Sequence, residues 1–119
     1  MPTATEPTPS PVELEVRRIR DLLKRGAYAE SLRAAQALAR EVPENRDTLY
    51  LIAMSQRFLR QIPDALATLE RLEHLHPRYS RLYQERGHCF LVLKQAPQAI
   101  EAFLRGVNIN PALPASWMS

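Results

Sequence analysis

The sequence is poor in reactive, membrane-seeking and phosphate-cradling material. Its 119 residues hold one cysteine, Cys89, which excludes an internal disulfide and suits a reducing compartment. Of its three glycines, none belongs to a G-x-G-x-x-G or G-x-x-x-x-G-K pattern, so no nucleotide-binding loop is legible. No apolar run reaches the roughly 18 residues that a membrane-crossing helix requires. The N-terminus lacks a basic segment followed by an apolar one, so no signal peptide is read. No segment alternates polar and apolar residues over a useful length, so no sheet is expected. No nucleophile–base pair or carboxylate pair stands at a workable spacing, so neither free-standing catalysis nor a cofactor is expected. These absences set the expectation of a cytoplasmic, non-enzymatic protein without membrane segments.

Charge excludes little but weighs against nucleic acid. The formal net charge of +3 is spread almost evenly, at +1 for residues 12–45, +1 for 46–79 and +2 for 80–113, with Glu6 ahead of them supplying −1. A phosphate backbone calls for basic side chains gathered on one face, whereas acidic residues are interleaved here throughout. The pair His74-x-His76 does not read as a metal site, because side chains two apart on a helix face different ways. Histidine in a last helical turn is favoured by the helix dipole alone.

What the sequence does contain is a period. Proline stands at 43, 77 and 111, in two equal steps of 34, and Leu32, Leu66 and Ile100 keep the same step. The stretch Ala65–Pro77 returns as Ala99–Pro111, and Pro63 and Pro97 each precede their alanine by two residues. A fixed period of this size in helix-compatible residues marks a helical repeat array.

Six helices follow from the punctuation. The first 11 residues, rich in proline and threonine, bury almost nothing and read as a disordered tail. Ser10-Pro11-Val12-Glu13 forms a capping-box pattern that opens a helix with an apolar stripe of Val12, Val16, Ile19, Leu22 and Leu23. That helix should end at Arg25-Gly26, where glycine accepts the left-handed cap. Further helices are predicted over about Ala29–Glu41, Arg46–Leu59, Pro63–Leu75, Ser80–Leu93 and Pro97–Ile109. Cys89, beside Gly87 and Phe90 on a packed helix, reads as a buried structural thiol.

At these positions the chain resembles the tetratricopeptide repeat family. Leu49, Tyr83 and Trp117 stand where the family wants a large residue early in its first helix, and Ala53 and Gly87 where the two helices cross. Ser31, Ala65 and Ala99 supply the small residue early in the second helix, and Pro43, Pro77 and Pro111 the closing proline. The resemblance implies an all-α, right-handed solenoid with repeats at 12–45, 46–79 and 80–113. The first is atypical, with Glu15 and Ile19 at the large and small positions, as terminal repeats commonly are. Residues 114–119 read as the start of a truncated fourth repeat. Without a polar capping helix, Phe90, Ile100, Phe103 and Val107 are expected to keep only partial cover. The chain is therefore read as a fragment, or as a homo-oligomer joined through its last repeat.

The resemblance also implies where a partner would bind. In this family the first helices line a groove that receives a peptide or helix of another protein. By phase, that groove holds Val16, Arg20 and Leu23, then Tyr50, Met54 and Arg57, then Arg81, Gln84, His88 and Leu91. Arg20, Arg57 and Arg81 could pair with carboxylates, and Tyr50 and Met54 offer adaptable apolar contact. The lysine–asparagine clamp that chaperone-tail binders carry is absent, since the matching pairs are Val16/Arg20, Tyr50/Met54 and Gln84/His88. A narrower resemblance lies in R-Y-S-R-L-Y-Q-E-R-G-H from Arg78 and N-I-N-P-A-L-P-A-S-W from Asn108. These runs are similar to bacterial proteins that join repeats to a sulfotransferase domain, which would make this chain an accessory, substrate-recruiting region of such an enzyme.

Overall fold

A computed structural model describes residues 8–112, which form six helices and, among the described residues, no strand. They are α1 (Pro11–Lys24), α2 (Tyr28–Glu41), α3 (Arg46–Phe58), α4 (Ile62–Leu75), α5 (Ser80–Val92) and α6 (Ala96–Ile109). Trp117 and the expected fourth repeat lie outside the described residues, as does most of the expected tail.

Each helix starts and stops for a local reason. The hydroxyl of Ser10 accepts the Glu13 N–H at 3.1 Å, so α1 already begins at Pro11, inside the segment read as tail. Asn45 Oδ1 accepts both the N–H and the hydroxyl of Thr48 at 2.9 Å and so opens α3. The second helices α2, α4 and α6 begin one residue before their predicted starts. In α4 and α6 the proline falls inside the first turn, where its missing N–H has no helical partner to lose. First helices close through a common turn. The N–H groups of Ala27, Gln61 and Gln95 reach back to the carbonyls of Leu22, Gln56 and Phe90 at 2.8–2.9 Å. The residue before each takes a positive φ: Gly26 at 81°, Arg60 at 65° and Lys94 at 60°. These are three copies of one left-handed helix cap at the 34-residue step, and only the first uses glycine.

The helices form two layers. α1, α3 and α5 touch in succession, each first helix packs on its own second helix, and α2 and α4 also pack against the first helix that follows them. The buried residues fall into two clusters. One, around Val16, Ile19, Leu32, Leu38, Leu51 and Ile52, seals the first junction. The other, around Leu49, Ala53, Leu69, Leu72, Leu82 and Tyr83, seals the second. Gly87 makes the close crossing of the third pair, because a Cβ there would stand 2.6 Å from the Phe103 ring. Leu32 is buried and Leu66 packs on the second cluster, while Ile100, at the same register, is 46% exposed. No helix follows α6 among the described residues, so the expected loss of cover falls on Ile100, Leu104 and, in part, Phe90 and Val107. Phe103 is fully covered within its own pair.

Candidate peptide-binding groove

Burial along the first helices defines an open stripe. In α3, Thr48, Leu49, Leu51, Ile52, Ala53, Ser55 and Gln56 are buried, which leaves Asp47, Tyr50, Met54 and Arg57 at least partly exposed along one stripe. In α5, Arg81, Gln84, His88 and Leu91 remain at least partly exposed at the same three-and-four spacing. Arg20 stands exposed on α1.

Two of the expected groove residues are misplaced. Val16 and Leu23 are buried within the first cluster rather than lining an open surface. The register position of Leu23 faces the next first helix, where it joins the same buried cluster as Leu51 of α3. Val16 is aliphatic, and burial against Ile19 and its neighbours is worth about 1.5 kcal/mol or more to such a side chain.

Arg57 occupies the register position of Leu23 and does the corresponding thing with a charge. Its Nε and Nη2 donate to the two carboxylate oxygens of Glu85 on α5, the latter at 3.2 Å. Glu85 stands one period after Leu51 and is 2% exposed, and the Arg57 side chain is 17% exposed. The apolar pair of the first junction is thus replaced in the second by a buried, bidentate ion pair. Burial pushes the Glu85 carboxyl above its ordinary value of 4.5, against the opposing pull of the Arg57 guanidinium. Arg57 is accordingly a rivet between α3 and α5, with its guanidinium 4.5 Å over the Phe58 ring, and Phe58 in turn stacks on Tyr28 at 4.7 Å.

The other predicted residues of α3 and α5 stand before and after this pair along the two helices, whereas Arg20 stands apart on α1. The Tyr50 ring meets Tyr79 edge to face at 5.6 Å, and Arg46 stands 4.5 Å over the Tyr79 ring. Burial raises the Tyr50 hydroxyl, helped by Glu85 and opposed by Arg81 and Arg57; burial likewise carries Tyr79 to about 12. His88 is half-buried, edge-on to Phe103 at 5.3 Å, and burial followed by the nearby Arg57 charge lowers its pKa, keeping the ring neutral at pH 7. Gln84 and Met54 are half-buried, and Arg81 is exposed at the start of α5. The resulting strip carries aromatic, thioether, amide, imidazole and guanidinium groups on two adjacent helices. It offers hydrogen bonds and adaptable apolar contact. No set of acidic, histidine or cysteine side chains among the described residues is arranged to hold a metal ion.

The other side chains singled out in the sequence are accounted for by packing. Cys89 is buried, and its thiol is pushed to about 12 by desolvation and the Glu85 charge, which makes it inert. His76 Nε2 lies 2.6 Å from the Glu44 carbonyl and so ties the α4 end to the preceding turn. On the outer face Glu73 receives Arg86 at 2.8 Å and Arg105 at 3.1 Å. Desolvation raises its pKa, but the two guanidiniums outweigh it and hold the carboxyl below the ordinary value. No helix of the described residues is long and apolar enough to cross a membrane.

No protein-family model matches the chain, and no curated protein matches it. Solved structures do. The type III secretion translocator chaperone SycD of Yersinia enterocolitica superposes with a TM-score of 0.80 at 13% identity, over 93% of this chain and 84% of that one. TTC0263, a thermophilic TPR protein of Thermus thermophilus, gives 0.80 at 21% identity, over 87% and 59%. The first TPR of Spaghetti (RPAP3), bound to the HSP90 peptide SRMEEVD, gives 0.77 at 18% identity, over 86% and 81%. The chain is an all-α helical-repeat solenoid with the fold of tetratricopeptide-repeat proteins. None of these three is a sulfotransferase, and the kinship suggested by the Arg78 and Asn108 runs has no counterpart among them.

Proposed function

We propose that this chain is a non-catalytic interaction module that receives a peptide or helix of another protein across α1, α3 and α5. The observation that carries this reading is the continuous half-buried stripe of Tyr50, Met54, Gln84 and His88 on two helices riveted by Arg57–Glu85. Such a strip is pre-organised, so a ligand does not have to order it, and its side chains mix adaptable and directional contacts. Arg20 and Arg81 extend the strip with cationic ends for carboxylates of the partner. Arg57 contributes by holding the strip in shape. The likeness to a TPR that binds an HSP90 peptide supports the class of ligand, although this chain lacks the lysine–asparagine clamp. Peptides selected from a displayed random library on the wild-type chain should lose at least tenfold in affinity for Met54→Glu or Tyr50→Ala. Unchanged binding by both variants would refute the groove.

A second reading has its own observation. Leu93, Ile100 and Leu104 are exposed on the last helix pair, at and beside a register that the preceding repeat covers. Self-association through this face would cover it. Light scattering should then show an assembly that Ile100→Glu with Leu104→Glu converts to monomer, and a monomeric wild-type chain would exclude it. The accessory role beside a sulfotransferase domain is a reading that rests on the sequence runs alone.

A further inference from the structure

The turn between α4 and α5 frames a cleft of about 650 Å³ walled by Arg46, Arg78, Arg81, Tyr79, Pro77 and Ile109. It differs in charge from four other clefts of the described surface. Those four each include at least one glutamate, such as Glu15 and Glu41 between α1 and α2 or Glu70 and Glu73 along α4. This one has three arginines and no acidic side chain in its walls. Neither Arg78 nor Arg81 makes a salt bridge with a described residue. Arg46 meets only Asp47, at 3.6 Å and well exposed, a pair weak enough to be exchanged for a better carboxylate. Arg46 also holds Tyr79 in place from above, and Tyr79 holds Tyr50, so the cleft runs directly into the groove.

We propose that this cleft is the anchor for an acidic segment of the groove's peptide partner, with Arg46, Arg78 and Arg81 binding its carboxylates and Ile109, Pro77 and Tyr79 taking an adjoining apolar side chain. The inference rests on the groove reading and adds the chemistry and place of one end of the ligand. Three arginines line a space that holds a few residues, Arg46 over the Tyr79 ring and Arg81 hydrogen-bonded to Tyr50, and forked guanidinium–carboxylate pairing is the strongest polar contact available to them. A nucleic acid fits less well, because the basic patch is confined to one cleft, with Asp47 and Glu44 on its flank, and does not run on as a stripe.

The test is fluorescence anisotropy of the full 119-residue chain with a labelled peptide of four glutamates ending in leucine, against its glutamine counterpart. The glutamate peptide should bind more tightly and lose affinity as salt is raised. Arg78→Ala and Arg46→Ala should each weaken it roughly tenfold. Arg33→Ala, in the glutamate-containing cleft near α2, should leave it unchanged. Equal affinity for the two peptides would overturn the proposal. So would a glutamate peptide lost on Met54→Glu but indifferent to Arg46 and Arg78, a result that keeps the groove and removes the anchor. Loss on the arginine substitutions with indifference to Met54→Glu would keep the anchor and remove the groove. Displacement at far lower concentration by inorganic phosphate or a single-stranded oligonucleotide would also overturn it, by making the cleft a phosphate site.

Discussion

Replacing the Arg57–Glu85 pair by the residues of the preceding junction should leave the chain as stable or make it more so, whereas removing either partner alone should cripple it. The register makes the substitution specific: Leu23 and Leu51 stand 34 residues before Arg57 and Glu85, and both are buried. In Arg57→Leu, Glu85 keeps its burial and loses both donors, and an unpaired buried charge of this kind costs about 3–5 kcal/mol. Against a total stability of roughly 5–15 kcal/mol, that is enough to unfold a substantial fraction of the chain. In Arg57→Leu with Glu85→Leu, the desolvation cost of both charges disappears, and the expected change lies between zero and about 4 kcal/mol of stabilisation. Urea denaturation followed by circular dichroism measures all four proteins on one scale. The pH dependence gives a second check. Burial raises Glu85 in the folded state, so the stability tied to its neutral form is complete below the ordinary value of 4.5 and is lost as pH rises through the folded value. The advantage of the double leucine variant should therefore grow above pH 4.5, and Arg57→Leu alone should recover on acidification. A double variant clearly less stable than the wild type would refute the reasoning, because it would mean that the ion pair stabilises beyond its desolvation cost.

Three further outcomes follow from the packing. Gly87→Ala should lower the thermal midpoint at a cost of about 1–3 kcal/mol, and Phe103→Leu in the same chain should return part of it by vacating the space the new methyl needs. Gly26→Ala should cost about 1 kcal/mol in urea although open space surrounds the site, because the strain lies in its φ of 81°. Glu73→Gln should destabilise at neutral pH and lose its effect in acid. The lowered carboxyl contributes stability that is present above the ordinary value of 4.5 and lost as pH falls through the folded value, so urea midpoints of variant and wild type should converge as the pH falls well below 4.5.

The helical layers were legible because their signals are local and periodic. Proline at 43, 77 and 111, the Ser10 cap and the stripe around Ile19 each dictate backbone geometry without help from the rest of the chain. α4 and α6 begin a residue early because proline permits a first turn around itself, a detail that residue identity alone does not fix. The buried charge was not legible in the same way. Glutamate on a helix reads as solvated surface, and only the period, which puts Glu85 at the place of Leu51 and Arg57 at that of Leu23, carries a hint that both sit in a junction. Helical phase gives a direction but not the position of the neighbouring first helix, which is why Leu23 reads as groove-facing while it is buried in the first junction. The basic cleft escaped for a related reason. Its arginines come from the starts of α3 and α5 and the turn between α4 and α5, and evenly interleaved charge along the chain hides their convergence in space.

The central claim is that partners bind along α3 and α5. Its most direct test is a map of amide chemical-shift changes when the isotope-labelled chain is titrated with the tightest peptide from a displayed random library. The account predicts the largest changes at and beside Tyr50, Met54, Gln84 and His88, fading across α2, α4 and α6. Changes concentrated on the outer faces of α2, α4 and α6, with that strip unperturbed, would contradict it.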